Sequence, residues 1–436
     1  MCIYLLKGVF FIKTLKFGSR GPSVSLLQTA LNRYGADRLA VDGIFGQKTR
    51  EALLRFQSDR GLTPNGIAGE YVHRALFPWY SGSAIHTVHA GDTFYLLSKK
   101  YGSTIEAIQT ANPSADPLNL LIGSRLVIPL NFPVVPTDVP VSSPLLAFCV
   151  KGLSMRYPFI NTGEIGKSVM GKPIWSLRMG NGSNRVLYNA GHHANEWINC
   201  LVLLKFIEEL AESFTLNKQI EGINAKEIFD YADFLIIPAV NPDGIDLVTG
   251  ELDGGEFFTV AQRIADNFPQ IPFPDGWQAN IRGTDLNLQY PAMWEEARKI
   301  KFAQGYTSPA PKYYVGRKPL SAPESFAMHR ATLMFKPELS LSYHSQGEVI
   351  FWKFLDYEPE NSMKIGELFS DISGYALADT PYDSGFAGYR DWFIDEFDRP
   401  GYTIETGIGI NPLPIEQFNS IYSKNRGILV AAGLVN

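Results

Sequence analysis

Apolar positions in the first 80 residues recur at helical spacing. Val24, Leu26, Leu27 and Leu31 form one stripe and Thr49, Leu53, Leu54 and Phe56 another, which predicts short amphipathic helices. Asp42-Gly43 and Pro64-Asn65-Gly66 interrupt the stripes with turn residues, so the pattern predicts a compact unit of three helices. After Pro78 the period changes. Residues 86–93 read as a short strand running into a helix capped by Asp92 or Thr93, with a second helix over 105–111 and a closing strand over 126–129. His86 and His89 on that strand invite a metal reading, but two surface histidines is the simpler one. Residues 131–143 then carry three prolines and no periodic run, as a semi-extended linker would.

Beyond the linker, apolar segments over 185–189, 234–240, 339–343 and 402–406 alternate with helical ones over 197–214, 324–334 and 364–377, and with a last helix after Pro414. Strands without polar alternation are covered on both faces, which predicts an α/β domain. The length of 436 residues fits about three domains. Hydrophobic residues at 45% against 19% charged exclude bulk disorder. A net charge of −5 with no basic block offers nothing for nucleic acid to bind. Cys2, Cys149 and Cys200, with no Cys-x-x-Cys, argue against a disulfide framework or a thiolate metal cluster. No apolar run approaches the roughly 20 residues of a membrane span. The two apolar runs at the N-terminus, broken by Lys7, lack the length and cleavage site of a conventional signal peptide.

The strand over 185–189 runs into Ala190-Gly-His-His-Ala-Asn-Glu-Trp197, at the carboxyl edge of a strand just before a helix, where open α/β sheets place their sites. His193 and Glu196, three residues apart, emerge on one side of a turn and can grip one ion. His-x-x-Glu alone is a weak signal and needs a third ligand. His344, closing the strand over 339–343, offers one; His329 competes but lies within an amphipathic helix, where a packed or solvated ring is the plain reading. His192 is read as a neighbour of the site. Two histidines and a glutamate with an open fourth position suit catalytic zinc. Glu405, inside the apolar strand Tyr402-Thr-Ile-Glu-Thr, is a carboxylate that needs a partner or a task, unless it faces solvent on an edge strand.

Three resemblances cover most of the chain. Gly18-Ser-Arg-Gly21, Leu27-Gln-x-x-Leu31, Val41-Asp-Gly-Ile-Phe-Gly46 and Phe56-Gln57 resemble a peptidoglycan-binding helical domain, placed at 15–80. Gly91-Asp-Thr, Tyr101-Gly, Ala111-Asn-Pro and Leu121-Ile-Gly resemble a LysM domain, a βααβ module that binds N-acetylglucosamine-containing glycans, placed at 85–130. After a linker at 131–144, residues 145–436 resemble the zinc carboxypeptidase family through Gly191-His-His-Ala-Asn-Glu196, Asn241-Pro-Asp-Gly244, Arg282-Gly-Thr-Asp-Leu-Asn287, Tyr343-His-Ser-Gln346 and Tyr402-Thr-Ile-Glu-Thr-Gly407.

That last resemblance implies a mixed, mainly parallel eight-stranded sheet flanked by helices, and one zinc ion per chain on His193, Glu196 and His344. It makes Glu405 the general base and Arg282 the nearest match to the arginine that polarises the scissile carbonyl, with a loop arginine paired to Asp285 as the alternative. Asn287 matches half of the family's carboxylate clamp, but Leu288 stands where the other half, an arginine, belongs. Tyr382 matches the family's mobile tyrosine. Arg390 falls at the base of the pocket for the side chain just after the cut, where it would meet an anionic group; a surface salt bridge to Asp391 or Asp395 is the alternative.

The domain order resembles bacterial γ-D-glutamyl-L-diamino acid endopeptidases. The implied function is a wall-located or extracellular peptidase, spore-associated in one version, that is anchored on glycan strands and cuts the γ-D-glutamyl-meso-diaminopimelate bond of stem peptides. The alternatives are a carboxypeptidase trimming C-terminal residues, a non-catalytic wall-binding protein, and last an amidohydrolase acting on N-acyl amino acids.

Overall fold

The computed structural model describes residues 13–35 and 38–435. The N-terminal apolar runs and Cys2, on which the signal-peptide reading rests, lie outside them. The chain divides into two compact units, Met1–Thr162 and Gly163–Asn436.

The first unit opens with three helices, α1 (Pro22–Tyr34), α2 (Gln47–Asp59) and α3 (Glu70–Ser81). Val24, Leu26, Leu27, Leu31, Leu53 and Phe56 of the predicted stripes are buried, and Leu76 of α3 is buried as well. Each of the first two helices also buries a glutamine that builds the next turn. Gln28 Nε2 donates to Asp42 Oδ1 at 2.8 Å and its Oε1 accepts from Gly43 N at 3.0 Å. Gln57 repeats the device, donating to Asn65 Oδ1 at 3.0 Å and accepting from Gly66 N at 2.9 Å. A buried amide is tolerated because both of its ends are bonded.

The βααβ module follows as β1 (Ser83–Thr87), α4 (Phe94–Tyr101), α5 (Ile105–Ala111) and β2 (Arg125–Pro129), with β1 and β2 antiparallel. Thr93 and Thr104 cap the helices by accepting from Leu96 N and Ala107 N, both at 3.1 Å. Val88, Phe94, Leu97, Ile108, Leu126 and Ile128 form its core. Only His89 of the two histidines is a surface residue. The His86 ring is buried, held by Tyr101 Oη at 2.9 Å and Asp92 Oδ2 at 2.8 Å.

The proline-rich stretch after β2 has no regular element, as its missing N–H donors dictate, yet it is not a free spacer. Val134, Val135, Val139 and Val141 are buried, and α6 (Ser143–Arg156) packs on α3 and α5. Arg156 gathers the carbonyls of Phe132, Gly82 and Leu130 at 2.8–2.9 Å. Gly152 permits the close approach of α6: a Cβ there would lie 2.2 Å from the Ser81 carbonyl oxygen and 2.6 Å from Val134 Cγ1. Gly152→Ala is therefore expected to lower stability by about 1–3 kcal/mol through overpacking, read as an earlier first transition in thermal or urea unfolding.

The second unit is built on eight strands. Along the chain come β3 (Asn161–Lys167), β4 (Pro173–Gly180), β5 (Asn184–Ala190), α7 (Ile198–Thr215), the short hairpin β6 (Gln219–Ile220) and β7 (Ile223–Asn224), α8 (Ala225–Tyr231), β8 (Ala232–Ile237), α9 (Pro242–Val248), α10 (Gly255–Ala265), α11 (Trp294–Ala303) and α12 (Pro323–Phe335). Then follow β9 (Leu339–His344), β10 (Val349–Phe351), α13 (Ser362–Ser373), β11 (Ala376–Ala378), α14 (Tyr389–Phe397), β12 (Gly401–Glu405) and α15 (Phe418–Ala432).

The sheet runs β11-β10-β12-β9-β5-β8-β4-β3. Pairing is parallel for β8-β5, β5-β9, β9-β12 and β10-β11, and antiparallel for β4-β8 and β10-β12. Strands β5, β8 and β9 are buried almost throughout, so both faces of the sheet are covered there, including the serine face of β9. This is the expected mixed sheet flanked by helices. Because β5, β9 and β12 are adjacent and parallel, whatever follows Ala190, His344 and Glu405 meets along one edge.

Candidate metal centre

Beyond β5 the chain turns at Gly191, where φ is 68° and an added Cβ would lie 3.1 Å from Cys200 Sγ and 3.3 Å from Ala239 Cα, which favours glycine. His193 follows, and a 3-10 turn over Ala194–Glu196 leads into α7. That turn swings Glu196 back so that its Oε1 lies 2.9 Å from His193 Nδ1, while Oε2 lies 2.8 Å from Nδ1 of His344 at the end of β9. Burial alone would push the Glu196 carboxyl up, but the two imidazoles hold it down at about 2. His193 is likewise opposed by burial and raised well above the usual imidazole value by Glu196 and Asp285.

Asp285 supplies orientation. Its Oδ1 sits 3.3 Å from His193 Nε2, and the carboxylate is fixed by the backbone N–H groups of Asn287 and Tyr313 at 3.1 and 3.0 Å. Of the two predicted alternatives for Asp285 and Arg282, the ion pair between them does not form: Asp285 serves His193. His192 is buried, bonded through Nε2 to Tyr290 Oη at 2.8 Å, and its ring lies 6.0 Å from that of His344. Burial and the neighbouring imidazoles keep it well below the usual value and hence neutral. His329 stands apart, packed on Trp392.

The donor set fits zinc. One ligand atom from each of His193, Glu196 and His344 lies within 4.8 Å of the others, and the set combines two imidazole nitrogens with a carboxylate. Asp285 behind His193 is the outer carboxylate that fixes a ligating imidazole's tautomer.

The group opens into a cleft of about 280 Å³ whose wall includes His193, His344, Asn287, Leu288, Arg390 and Glu405. Glu405 pairs in register with His344 across β12 and β9. Burial first, and then the charge of Glu196, pushes its carboxyl up to about 8 against the pull of His193 and Arg390; a divalent cation in the ligand set would pull it down further. Arg390 is 5% exposed, and the salt bridge to Asp391 weighed for it forms, though buried rather than on the surface. It forks onto Asp391 and donates to Thr380 Oγ1 at 2.7 Å while still facing the cleft. Asn287 Oδ1 accepts from Tyr389 N at 3.0 Å, leaving its amide N–H donors for the cleft. Leu288 packs into the core where a clamp arginine would stand.

Two expected residues are elsewhere. Tyr382 is 61% exposed in the turn Tyr382–Ser384, edge-on against Phe386, and its neighbours Thr380, Pro381 and Ser384, rather than Tyr382 itself, reach the cleft wall. Arg282 is exposed and lines a different cavity that shares no residue with the cleft, because its loop turns outward before Asp285. Conversely, Lys301 on α11 enters the cleft unannounced by any motif. Its Nζ donates to the Asp383 carbonyl at 2.8 Å and lies 4.9 Å from the Tyr313 ring centroid, and burial lowers its pKa.

Comparison with known proteins agrees with this geometry. The zinc carboxypeptidase profile matches residues 148–426, a peptidoglycan binding domain profile matches 20–76 and a LysM profile matches 86–129. The chain is 39% identical over 282 residues to gamma-D-glutamyl-L-diamino acid endopeptidase 1 of Lysinibacillus sphaericus, covering 65% of this chain and 69% of that protein. It is also 39% identical over 286 residues to the uncharacterized protein YqgT of Bacillus subtilis (strain 168), covering 64% and 73%. The solved structure of bovine thrombin-activatable fibrinolysis inhibitor, in complex with tick carboxypeptidase inhibitor, superposes with a TM-score of 0.53 at 19% identity, over 68% of this chain and 97% of that one, which speaks for the fold. With a matching family profile over most of its length and a zinc-type donor set at the carboxyl edge of its sheet, the chain belongs to the zinc carboxypeptidase family and carries it behind peptidoglycan-binding and LysM domains.

Proposed function

We propose that this protein is a peptidoglycan peptidase of the cell wall that hydrolyses the γ-D-glutamyl-meso-diaminopimelate bond of stem peptides. The observation that carries this reading is the cleft itself: a zinc-type ligand set and Glu405 share it with a buried arginine, while Leu288 leaves the family's clamp for a terminal carboxylate incomplete. The two wall modules and the likeness to an endopeptidase of this kind support it. Tethering to glycan strands raises the effective concentration of stem peptide at the cleft. Among the described residues no helix is long and apolar enough to cross a membrane.

His193, Glu196 and His344 would hold the ion, and Asp285 would keep His193 in the ligating tautomer. Zinc held there supplies Lewis acidity and brings the pKa of a water toward neutrality. Glu405, beside His344, takes the proton of the attacking water and delivers it to the leaving amine. Asn287 presents amide donors to the substrate. Arg282 is left out of the chemistry, since it does not line the cleft.

Arg390 gives the specificity. Meso-diaminopimelate bears a second carboxylate on its side chain, and a buried guanidinium can read it with charge-assisted bonds. The test is digestion of purified muropeptides with mass spectrometry of the new termini. New D-glutamate γ-carboxyl and diaminopimelate amino termini are expected; release of single C-terminal residues would assign a carboxypeptidase instead. Arg390→Ala is expected to lower kcat/KM on diaminopimelate stems about tenfold to a hundredfold. Lysine-containing stems should be poor substrates, and equal turnover of both stem types by the native enzyme would remove Arg390 from this role.

A further inference from the structure

Arg282 and Arg317 line a second cavity, of about 720 Å³, whose wall contains no aspartate or glutamate. Both side chains are exposed, and neither forms an ion pair among the described residues. Two uncompensated guanidinium groups are notable in a chain of net charge −5. Hydroxyls of Thr284 and Ser308 join them, and Val260 and Ile264 of α10 form an apolar side. The result is a concave surface with charge and hydrogen-bond donors for an anion and a flank for its carbon skeleton.

This cavity backs onto the metal cleft. Thr284 and Tyr314 face it, while their chain neighbours Asp285 and Tyr313 face the cleft. The two segments are locked together by Asp285 N donating to the Tyr314 carbonyl at 2.9 Å and Tyr313 N donating to Asp285 Oδ2 at 3.0 Å. Consecutive Cα atoms are about 3.8 Å apart, so a single layer of backbone separates the two spaces. A substrate lying over the rim of that wall can address both.

A γ-linked glutamyl residue offers the matching group. Its side-chain carboxyl forms the scissile bond, so its α-carboxylate remains free on the acyl side of the cut, opposite the amine side assigned to Arg390. We propose that Arg282 and Arg317 form a subsite for the free α-carboxylate of the glutamyl residue, an inference that rests on the peptidoglycan-peptidase reading. Charge-assisted bonds from two guanidinium groups would make the enzyme sensitive to amidation of that carboxylate, which abolishes the charge without altering the scissile bond.

The experiment compares kcat/KM on two L-alanyl-γ-D-glutamyl-meso-diaminopimelate tripeptides, one with the α-carboxylate free and one with it amidated, using the full-length zinc-loaded enzyme. The native enzyme is expected to prefer the free acid by about tenfold to a hundredfold. Arg282→Gln and Arg317→Gln should each bring the ratio toward one by losing activity on the free acid alone. Equal turnover of both tripeptides by the native enzyme, or an unchanged ratio in both variants, would overturn the subsite. So would an equal loss on both tripeptides in Arg282→Gln, which would return that residue to the scissile carbonyl. A native ratio near one together with arginine-dependent binding of inorganic phosphate would give the cavity to a phosphate ligand. Cleavage of neither tripeptide would instead sink the peptidase reading on which the subsite rests.

Discussion

His344→Ala is expected to strip the protein of its zinc and reduce peptide hydrolysis to background. Three protein ligands are the minimum for a catalytic site of this kind, and His344 is the one that arrives from a different strand. Without it Glu196 faces a single imidazole, and the ion would keep only the two neighbouring ligands of one turn. Zinc by elemental analysis after dialysis is the readout, with about one ion per chain in the native protein and none retained by the variant. Stoichiometric zinc in His344→Ala would remove this residue from the ligand set. Binding to insoluble wall sacculi should be unchanged, since the peptidoglycan-binding and LysM domains lie in the other unit and supply none of the ligands His193, Glu196 and His344. Loss of sedimentation with sacculi would indicate a general folding defect.

Glu405→Gln should separate the base from the ligands. Glutamine keeps the size of the side chain but cannot carry a proton between water and amine, so kcat is expected to fall by roughly a hundredfold to ten-thousandfold with zinc retained. An active variant would mean another base. The metal-free protein offers a second readout. Burial makes the folded protein hold the Glu405 proton up to about pH 8, against an ordinary value of 4.5. The folded state therefore binds more protons than the unfolded one between those values, and stability falls as pH rises through that window. Metal-free Glu405→Gln should lose that part of the slope, which melting temperatures across the range will check.

Much of the architecture was legible in the order of residues because its signals are local. Helical spacing around Leu27 and Leu53, turn residues at Gly43 and Gly66, and a cap at Asp92 or Thr93 are matters of adjacent backbone and side chain. The central strand β8 was legible because burial on both faces leaves an uninterrupted apolar run at Phe234–Ile237, whereas β9, Leu-Ser-Leu-Ser-Tyr-His, alternates with serine and is nevertheless buried at every position. The outer strand β3 was not legible: its sequence, Asn-Thr-Gly-Glu-Ile-Gly-Lys, is exposed along most of its length and has no periodicity to detect. Linker composition likewise excluded a regular element from residues 131–142, while the bends along it and the burial of its four valines were not legible.

The same division holds within the site. His193 and Glu196 share one turn, and the family motifs carried His344 and Glu405, so these could be named before any fold was known. That Asp285 turns to His193 rather than to Arg282, that Lys301 enters the cleft, and that Arg282 joins Arg317 in a neighbouring cavity could not be named, because each depends on which side of a loop faces which wall. Motif and spacing determine what chemistry a chain can perform; the direction of a side chain leaving an irregular loop is decided only when distant segments pack and hydrogen-bond across it.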